Sequence, residues 1–420
     1  MTLHIKNVWL YDQGQVDIQI DAGKIKAIAP NLPEIDGAES FDGNGMAAVS
    51  GLVNGHTHAA MSLFRGFGDD MQLMEWLQTR IWPAEAKLTE EDVYWGSRMA
   101  CMEMIRSGTV AFEDMYWHFH GMAKAVEDSG LRAGVGAVMI DIAGEKQGQE
   151  CRDQAVQYLE ESGRYSDRVK FTLTPHAIYT VSAKSLSWSA EFSDKHNLPV
   201  HIHLSETAFE VSECIKQNGV RPAVYLDQQG LLTPRTILAH GVYLDDDELE
   251  LIAKRGSTIV SNPVSNMKLA VGGVFPYQKA AELGIPIGLG SDGAASNNSL
   301  DMFQEVKTFS LIQKHANNDP TVLPSAKAWQ VVTGVDAPLI GQGSGVLAAG
   351  ENADILLLNR DEPEICPEHD FVSNLVYSAT GHVVDTVIVA GKILMKNRVI
   401  DQELEIRQEA TARAKSLCKV

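Results

Sequence analysis

Cysteine is scarce in this chain: five residues among 420, an odd number, never in a Cys-x-x-Cys pair. That spacing argues against a disulfide framework and points to a reducing, cytoplasmic setting. Cationic side chains are also few, with 35 Lys and Arg against 55 Asp and Glu, a formal net charge of -20. Phosphate backbones and anionic membranes need a basic surface, so neither nucleic acid nor membrane is an expected partner, whereas a small neutral molecule is compatible. No run approaches the ~18 apolar residues of a membrane span. The first residues, MTLHIKNVWLYDQGQ, lack the basic start and apolar stretch of a secretion signal. Internal repeats, long linkers and low-complexity tracts are absent as well. What is present is ordinary globular composition, 45% hydrophobic and 21% charged. The length exceeds what one compact core usually holds, so a large domain with a smaller companion is expected.

The two ends read alike. Leu3-His4-Ile5-Lys6-Asn7-Val8 and Val16-Asp17-Ile18-Gln19-Ile20 alternate apolar with polar, and a turn at Asp21-Ala22-Gly23 leads to another short strand over 24–28. Residues 353–358 and 386–394 are strand-like too, the latter broken by Gly391, and 402–417 read as a closing helix. A small β domain assembled from both ends, residues 1–50 and 346–420, is therefore expected. Between them, over 51–345, short apolar runs alternate with helix-patterned stretches such as 91–106, 120–129 and 185–196. The runs are 51–56, 109–112, 133–140, 169–173, 199–204, 236–239, 257–260 and 287–289, eight in all. A repeating βα pattern of this size predicts an α/β fold, a (β/α)8 TIM-like barrel, with the small domain a β-sandwich.

Barrel chemistry sits at the carboxyl ends of the strands, and nearly every run here ends in a histidine or carboxylate. The first ends in His56-Thr57-His58, the second in Glu113-Asp114, the fourth in His176, the fifth in His203-Leu204-Ser205-Glu206, the sixth in His240 and the eighth in Asp292. Side chains alternate on a strand, so His56 and His58 project the same way and can grip one ion. Of His201 and His203, the latter lies nearer the strand end and is the expected ligand; His201 is left as a packed supporting residue. Asp292 completes a set of three imidazoles and one carboxylate, suited to zinc or iron with a coordination position left open for water.

These residues carry a resemblance. Val53-Asn54-Gly55-His56-Thr57-His58, His201-Ile202-His203-Leu204-Ser205-Glu206, Leu238-Ala239-His240 and the run Gly290-Ser291-Asp292-Gly293-Ala294-Ala295-Ser296-Asn297-Asn298 resemble the amidohydrolase superfamily. Within it they look like the 5'-methylthioadenosine/S-adenosylhomocysteine deaminases. The likeness extends to Met74-Glu75-Trp76-Leu77, Trp82-Pro83-Ala84-Glu85 and Thr174-Pro175-His176-Ala177-Ile178-Tyr179, and so spans nearly the whole chain. Ser50 departs from the family's usual Pro. His176 stands where two-metal members carry a bridging lysine, which implies one metal ion per subunit.

The resemblance implies hydrolytic deamination at C6 of an adenine nucleoside. Glu206 would protonate ring N1, Asp292 would take the water proton, and His240 would orient the attacking oxygen. By the same resemblance Glu85 would bind the ribose hydroxyls, His176 the purine, and Trp76 and Ser296 the pocket wall; a homo-oligomer is implied too. Members that accept S-adenosylhomocysteine are expected to offer arginine to its carboxylate from the third strand and the following loop. Over 134–149 the only cation is Lys146, so 5'-methylthioadenosine, 5'-deoxyadenosine or adenosine is the expected substrate. Two rival readings remain: another amidohydrolase, such as a guanine, pterin or cytosine deaminase or triazine hydrolase, and a non-catalytic metal-binding scaffold on the same fold.

Overall fold

The structure, a computed structural model, describes residues 2–337, 339 and 343–418. Its strands fall into one terminal and two central sheets. In chain order the first five are β1 (Thr2–Leu10), β2 (Gly14–Asp21), β3 (Lys24–Ala29), β4 (Glu39–Asp42) and β5 (Met46–Ser50). The central strands are β6 (Leu52–Thr57), β7 (Thr109–Tyr116), β8 (Arg132–Met139), β9 (Val169–Phe171), β10 (Thr174–Pro175), β11 (Val200–Leu204), β12 (Thr236–His240), β13 (Thr258–Ser261) and β14 (Ile287–Leu289). The last are β15 (Ile355–Asn359), β16 (Val384–Val389) and β17 (Lys392–Met395).

Both ends of the chain do meet in one sheet, ordered β17-β16-β15-β5-β1-β2-β3 with β4 beside β1. The joint is the antiparallel pair β5–β15, with Ala48 opposite Leu357. Alternation along β15 gives this sheet two buried faces. Ile355 and Leu357 pack with Ile5, Ile18 and Ile388 in a small core, while Leu356 and Leu358 join the main core. Arg132 at the start of β8 donates to Asp354 (Nε–Oδ2 2.8 Å), tying the central strands to this sheet. β4 and β5 had no strand pattern strong enough to read in the sequence.

The middle is α/β. Two parallel sheets run β10-β8-β7-β6, with β9 also on β8, and β11-β12-β13-β14. They are hydrogen-bonded to each other on both margins: His201 N to Leu173 O (2.8 Å) and His203 N to His176 O (3.0 Å) on one side, Asp292 N to His56 O (3.0 Å) on the other. All eight anticipated runs form strands, the fourth as the two short pieces β9 and β10. Pro175 has no N–H to give the ladder, which shortens that second piece. The helix Glu90–Arg106 starts from a capping box between Thr89 and Asp92. The helix Glu145–Ser162 escaped the sequence reading because its buried face is only Gly148, Arg152 and Ala155. No helix among the described residues is long and apolar enough to cross a membrane.

Candidate metal and catalytic site

The strand-end residues converge. His56 and His58, two apart on β6 and its exit, place their Nε2 atoms 3.3 and 3.2 Å from Asp292 Oδ1. The donor atoms of His56, His58 and His203 lie within 4.8 Å of one another, and so do those of His56, His240 and Asp292. Three residues that leave their strands here, Ser205, His240 and Asp292, have left-handed backbones (φ 49°, 76° and 60°). Such conformations cost non-glycine residues about 1–2 kcal/mol and persist where the surroundings over-determine them.

Hydrogen bonds fix which nitrogen of each ring faces inward. His58 Nδ1 lies 2.6 Å from Met115 O and His203 Nδ1 lies 2.7 Å from His176 O. A carbonyl only accepts, so both Nδ1 atoms carry hydrogen and Nε2 is the nitrogen each ring turns inward. His56 Nδ1 is 2.9 Å from His201 Nε2, which gives His201 the supporting place anticipated for it. The inward Nε2 of His56 is buried and makes no hydrogen bond. Asp292 is braced on its outer oxygen by Ser265 (2.6 Å) and Ser296 (2.8 Å), leaving Oδ1 toward the imidazoles. The inward-turned Nε2 atoms, a buried Nε2 on His56 without a hydrogen bond and an oriented carboxylate fit a metal ion.

Electrostatics set the rings apart. Burial lowers His56 to about 4 and His176 to about 3, so both rings are neutral at pH 7. For His58 burial also opposes charge, but the hydrogen bond and charge of Asp292 outweigh it and raise the ring to about 9. Burial pushes Asp292 up, and the His56 and His58 rings at 3.3 and 3.2 Å more than reverse it, holding the carboxyl well below its usual range.

Glu206 stands opposite, its Oε2 3.9 Å from His240 Nε2. Burial raises its pKa, so it holds a proton more readily than an exposed glutamate. His240 Nδ1 is 2.9 Å from Asn266 Oδ1. Glu85 accepts from Tyr116 Oη (2.8 Å), and burial raises its pKa as well. His176 contacts Thr180 Oγ1 through Nδ1 (2.8 Å), with its ring centroid 4.7 Å from that of His203. Trp76 is packed in the main core and donates from Nε1 to Phe67 O (3.1 Å).

Sequence reasoning did not find Ser265, Asn266, Tyr116 or Glu210. The first two follow β13 on the short helix Pro263–Lys268, and Tyr116 ends β7. Glu210 sits three residues after the helix cap Thr207, where a capping-box acid would bond the cap itself. Instead it reaches further back and accepts from Ser205 N (3.0 Å) and Glu206 N (2.9 Å). That clamp holds the left-handed turn that aims Glu206. Glu210→Gln puts an amide against one of those N–H groups. The expected result is a loss of about 1–3 kcal/mol in stability and a drop in kcat of about tenfold, given the sensitivity of catalysis to small misplacements. Thermal melts and steady-state kinetics check it; wild-type kcat in the variant rules the clamp out.

The sequence profile of the Amidohydrolase family matches residues 47–394. The chain is 46% identical to a 5'-deoxyadenosine deaminase of Methanoregula boonei, over 97% of this chain and 93% of the relative. It is 40% identical to a 5-methylthioadenosine/S-adenosylhomocysteine deaminase of Dictyoglomus turgidum over the full length of both. Among solved structures it superposes on an adenosine deaminase from Xanthomonas campestris with bound zinc, with a TM-score of 0.93 and 32% identity, covering 100% of this chain and 99% of the other.

Proposed function

The chain belongs to the amidohydrolase family, and from that footing we propose that it hydrolyses the C6 amino group of an adenine nucleoside, releasing ammonia and the inosine analogue. The observation that carries this reading is the buried Glu206 carboxyl set against His240, across from a cluster of three imidazoles and Asp292. His56, His58, His203 and Asp292 would hold one zinc ion, with iron the alternative; His176 occupies the place of a bridging lysine. When bound, the metal supplies a Lewis acid that makes water nucleophilic near neutral pH.

The remaining work falls to side chains. His240, oriented by Asn266, positions the attacking water, and Asp292 accepts its proton. Glu206 gives its proton to N1 as C6 becomes tetrahedral, so negative charge does not build up on the ring. The proton held by Asp292 then goes to the departing amine, which leaves as ammonia while the C6 hydroxyl returns its proton to Glu206 and becomes the carbonyl. Glu85, fixed by Tyr116, binds ribose hydroxyls, and His176 meets the purine. Trp76 and Ser296 complete the pocket, Ser296 through its bond to Asp292.

Residues 51–345 form the (β/α)8 barrel in this reading. Residues 1–50 and 346–420 form the β-sandwich domain with its closing helix. Five free cysteines fit a cytoplasmic protein. A screen of adenosine, 5'-deoxyadenosine, 5'-methylthioadenosine, S-adenosylhomocysteine and guanine, read by ammonia release, tests the proposal. Turnover of nucleosides and none of guanine is expected; turnover of guanine alone assigns the site to free bases.

A further inference from the structure

One acid lies on the inward face of its helix. The helix Met302–Asn317 packs Met302, Phe303, Val306 and Phe309 inward, and Glu305 is the only charged residue on that buried face, 1% exposed. A buried carboxyl is costly unless donors meet it. Here the donors come from two different segments. Oε1 accepts from Asn297 Nδ2 (2.6 Å), in the turn after β14, and Oε2 accepts from Val264 N (3.3 Å), in the short helix after β13. The Asn297 amide also donates to Ser291 O (2.6 Å) and accepts from Ser299 N (3.3 Å), so it gathers the turn that Glu305 holds.

Those two segments meet at Asp292. Ser265, next to Val264, and Ser296, next to Asn297, donate to the same Asp292 oxygen, Oδ2. Asn266, one residue further along, meets His240 Nδ1 (2.9 Å). A hydroxyl is aimed only as well as the backbone that carries it, and both backbones are joined at depth by one carboxyl group. Lys268 makes a second tie between the segments, to Ala295 O (3.3 Å) and Asn298 Oδ1, but at their exposed end. Glu305 therefore reaches Asp292 and His240 through their immediate neighbours.

We propose that Glu305 is a positioning residue: by clamping the segments after β13 and β14 together, it fixes the Ser265 and Ser296 hydroxyls on one oxygen of Asp292 and the Asn266 amide on His240. The clamp rests on the nucleoside reading above for its substrate and adds a residue outside the pocket to the reaction. Partners that orient a metal-binding side chain are typically worth about 10–100-fold in affinity for the ion or in activity.

Glu305→Gln tests it, because the amide keeps the volume and turns an N–H toward one of the two donors. With 5'-deoxyadenosine and saturating zinc, kcat is expected to fall about 10–100-fold while KM stays near wild type. Zinc affinity, read by competition with a chromophoric chelator, is expected to fall about tenfold. A double-mutant cycle gives a signature that lost stability alone would not. Once Ser265→Ala has removed a brace, adding Glu305→Gln costs much less than in wild type; in the Glu210→Gln background, which acts through Glu206 instead, it costs the full factor. Leu311→Ser, exposed on the same helix, is the control and keeps wild-type kcat. A wild-type kcat in Glu305→Gln, a loss carried by KM, an unmoved zinc affinity, or additivity with Ser265→Ala overturns the clamp. Asn297→Ser cuts the same tie from its other end and carries the same expectations if Glu305→Gln does not fold. Unfolding of both variants makes Glu305 a residue of stability alone and overturns its positioning role. Wild-type protein that turns over no nucleoside overturns the reading beneath, and zinc affinity in the same variants then decides the clamp by itself.

Discussion

Replacing Glu206 with glutamine is expected to lower kcat on 5'-deoxyadenosine by about 10²–10⁴-fold, the usual contribution of a positioned proton donor. Metal content and Tm should stay where they were. The size of the effect follows from what glutamine keeps and loses. Its shape and polarity match, and the N–H of residue 206 still reaches Glu210, so the turn survives. What disappears is the transferable proton, and C6 cannot become tetrahedral without charge building on the ring. His240, 3.9 Å from the missing carboxyl oxygen, cannot replace it, because the aim of its ring is set by Asn266. Kinetics with parallel metal analysis make the comparison. A variant within a few-fold of wild type would remove Glu206 from the chemistry and reopen the scaffold reading.

Stripping the metal should be equally severe. Dialysis against a chelator is expected to reduce kcat by about 10³-fold or more, since Lewis-acid activation supplies several kcal/mol of transition-state stabilisation. One equivalent of zinc or iron(II) should restore it. Binding of the ion to the folded state alone must also raise Tm, by linkage. It must release protons near neutral pH, because Asp292 holds the His58 ring protonated up to about 9 when no cation competes. His203→Ala should reproduce the chelated state and resist rescue. Two equivalents bound per chain would contradict the single-ion site, and full activity in metal-free protein would remove the ion from the reaction.

The convergence of histidines and Asp292 at strand ends and the α/β class could be read from the sequence because both are local patterns. His56-Thr57-His58 is a period-two signal on one strand, and the apolar runs announce the parallel strands one at a time. What supports those side chains was not legible, because each partner comes from a different part of the chain. His201 backs His56 across 145 residues, and Ser265 braces Asp292 across 27. No spacing rule links such pairs before the strands are ordered. Glu210 is the instructive case: it looks like an ordinary capping acid, and only the left-handed turn at Ser205 brings two earlier N–H groups within its reach. Trp76 donates its indole N–H to Phe67 O, a bond that the spacing of the two residues does not announce.

The pairing of β5 with β15 has a consequence for how the protein is made. Ala48 leaves the ribosome about 300 residues before its partner Leu357, an interval of about 15–60 s at ordinary elongation rates. β1, β2 and β3 can zip together early, since their pairings are between chain neighbours. Ile5, Ile18 and Ile20 then wait for Ile355, Leu357 and Ile388 to close their core. Through most of synthesis the nascent chain carries an open apolar sheet face, the kind of surface that aggregates or recruits chaperones. A chain cut short before residue 355 loses more than its tail, because the strands at its beginning never receive the partner that covers them.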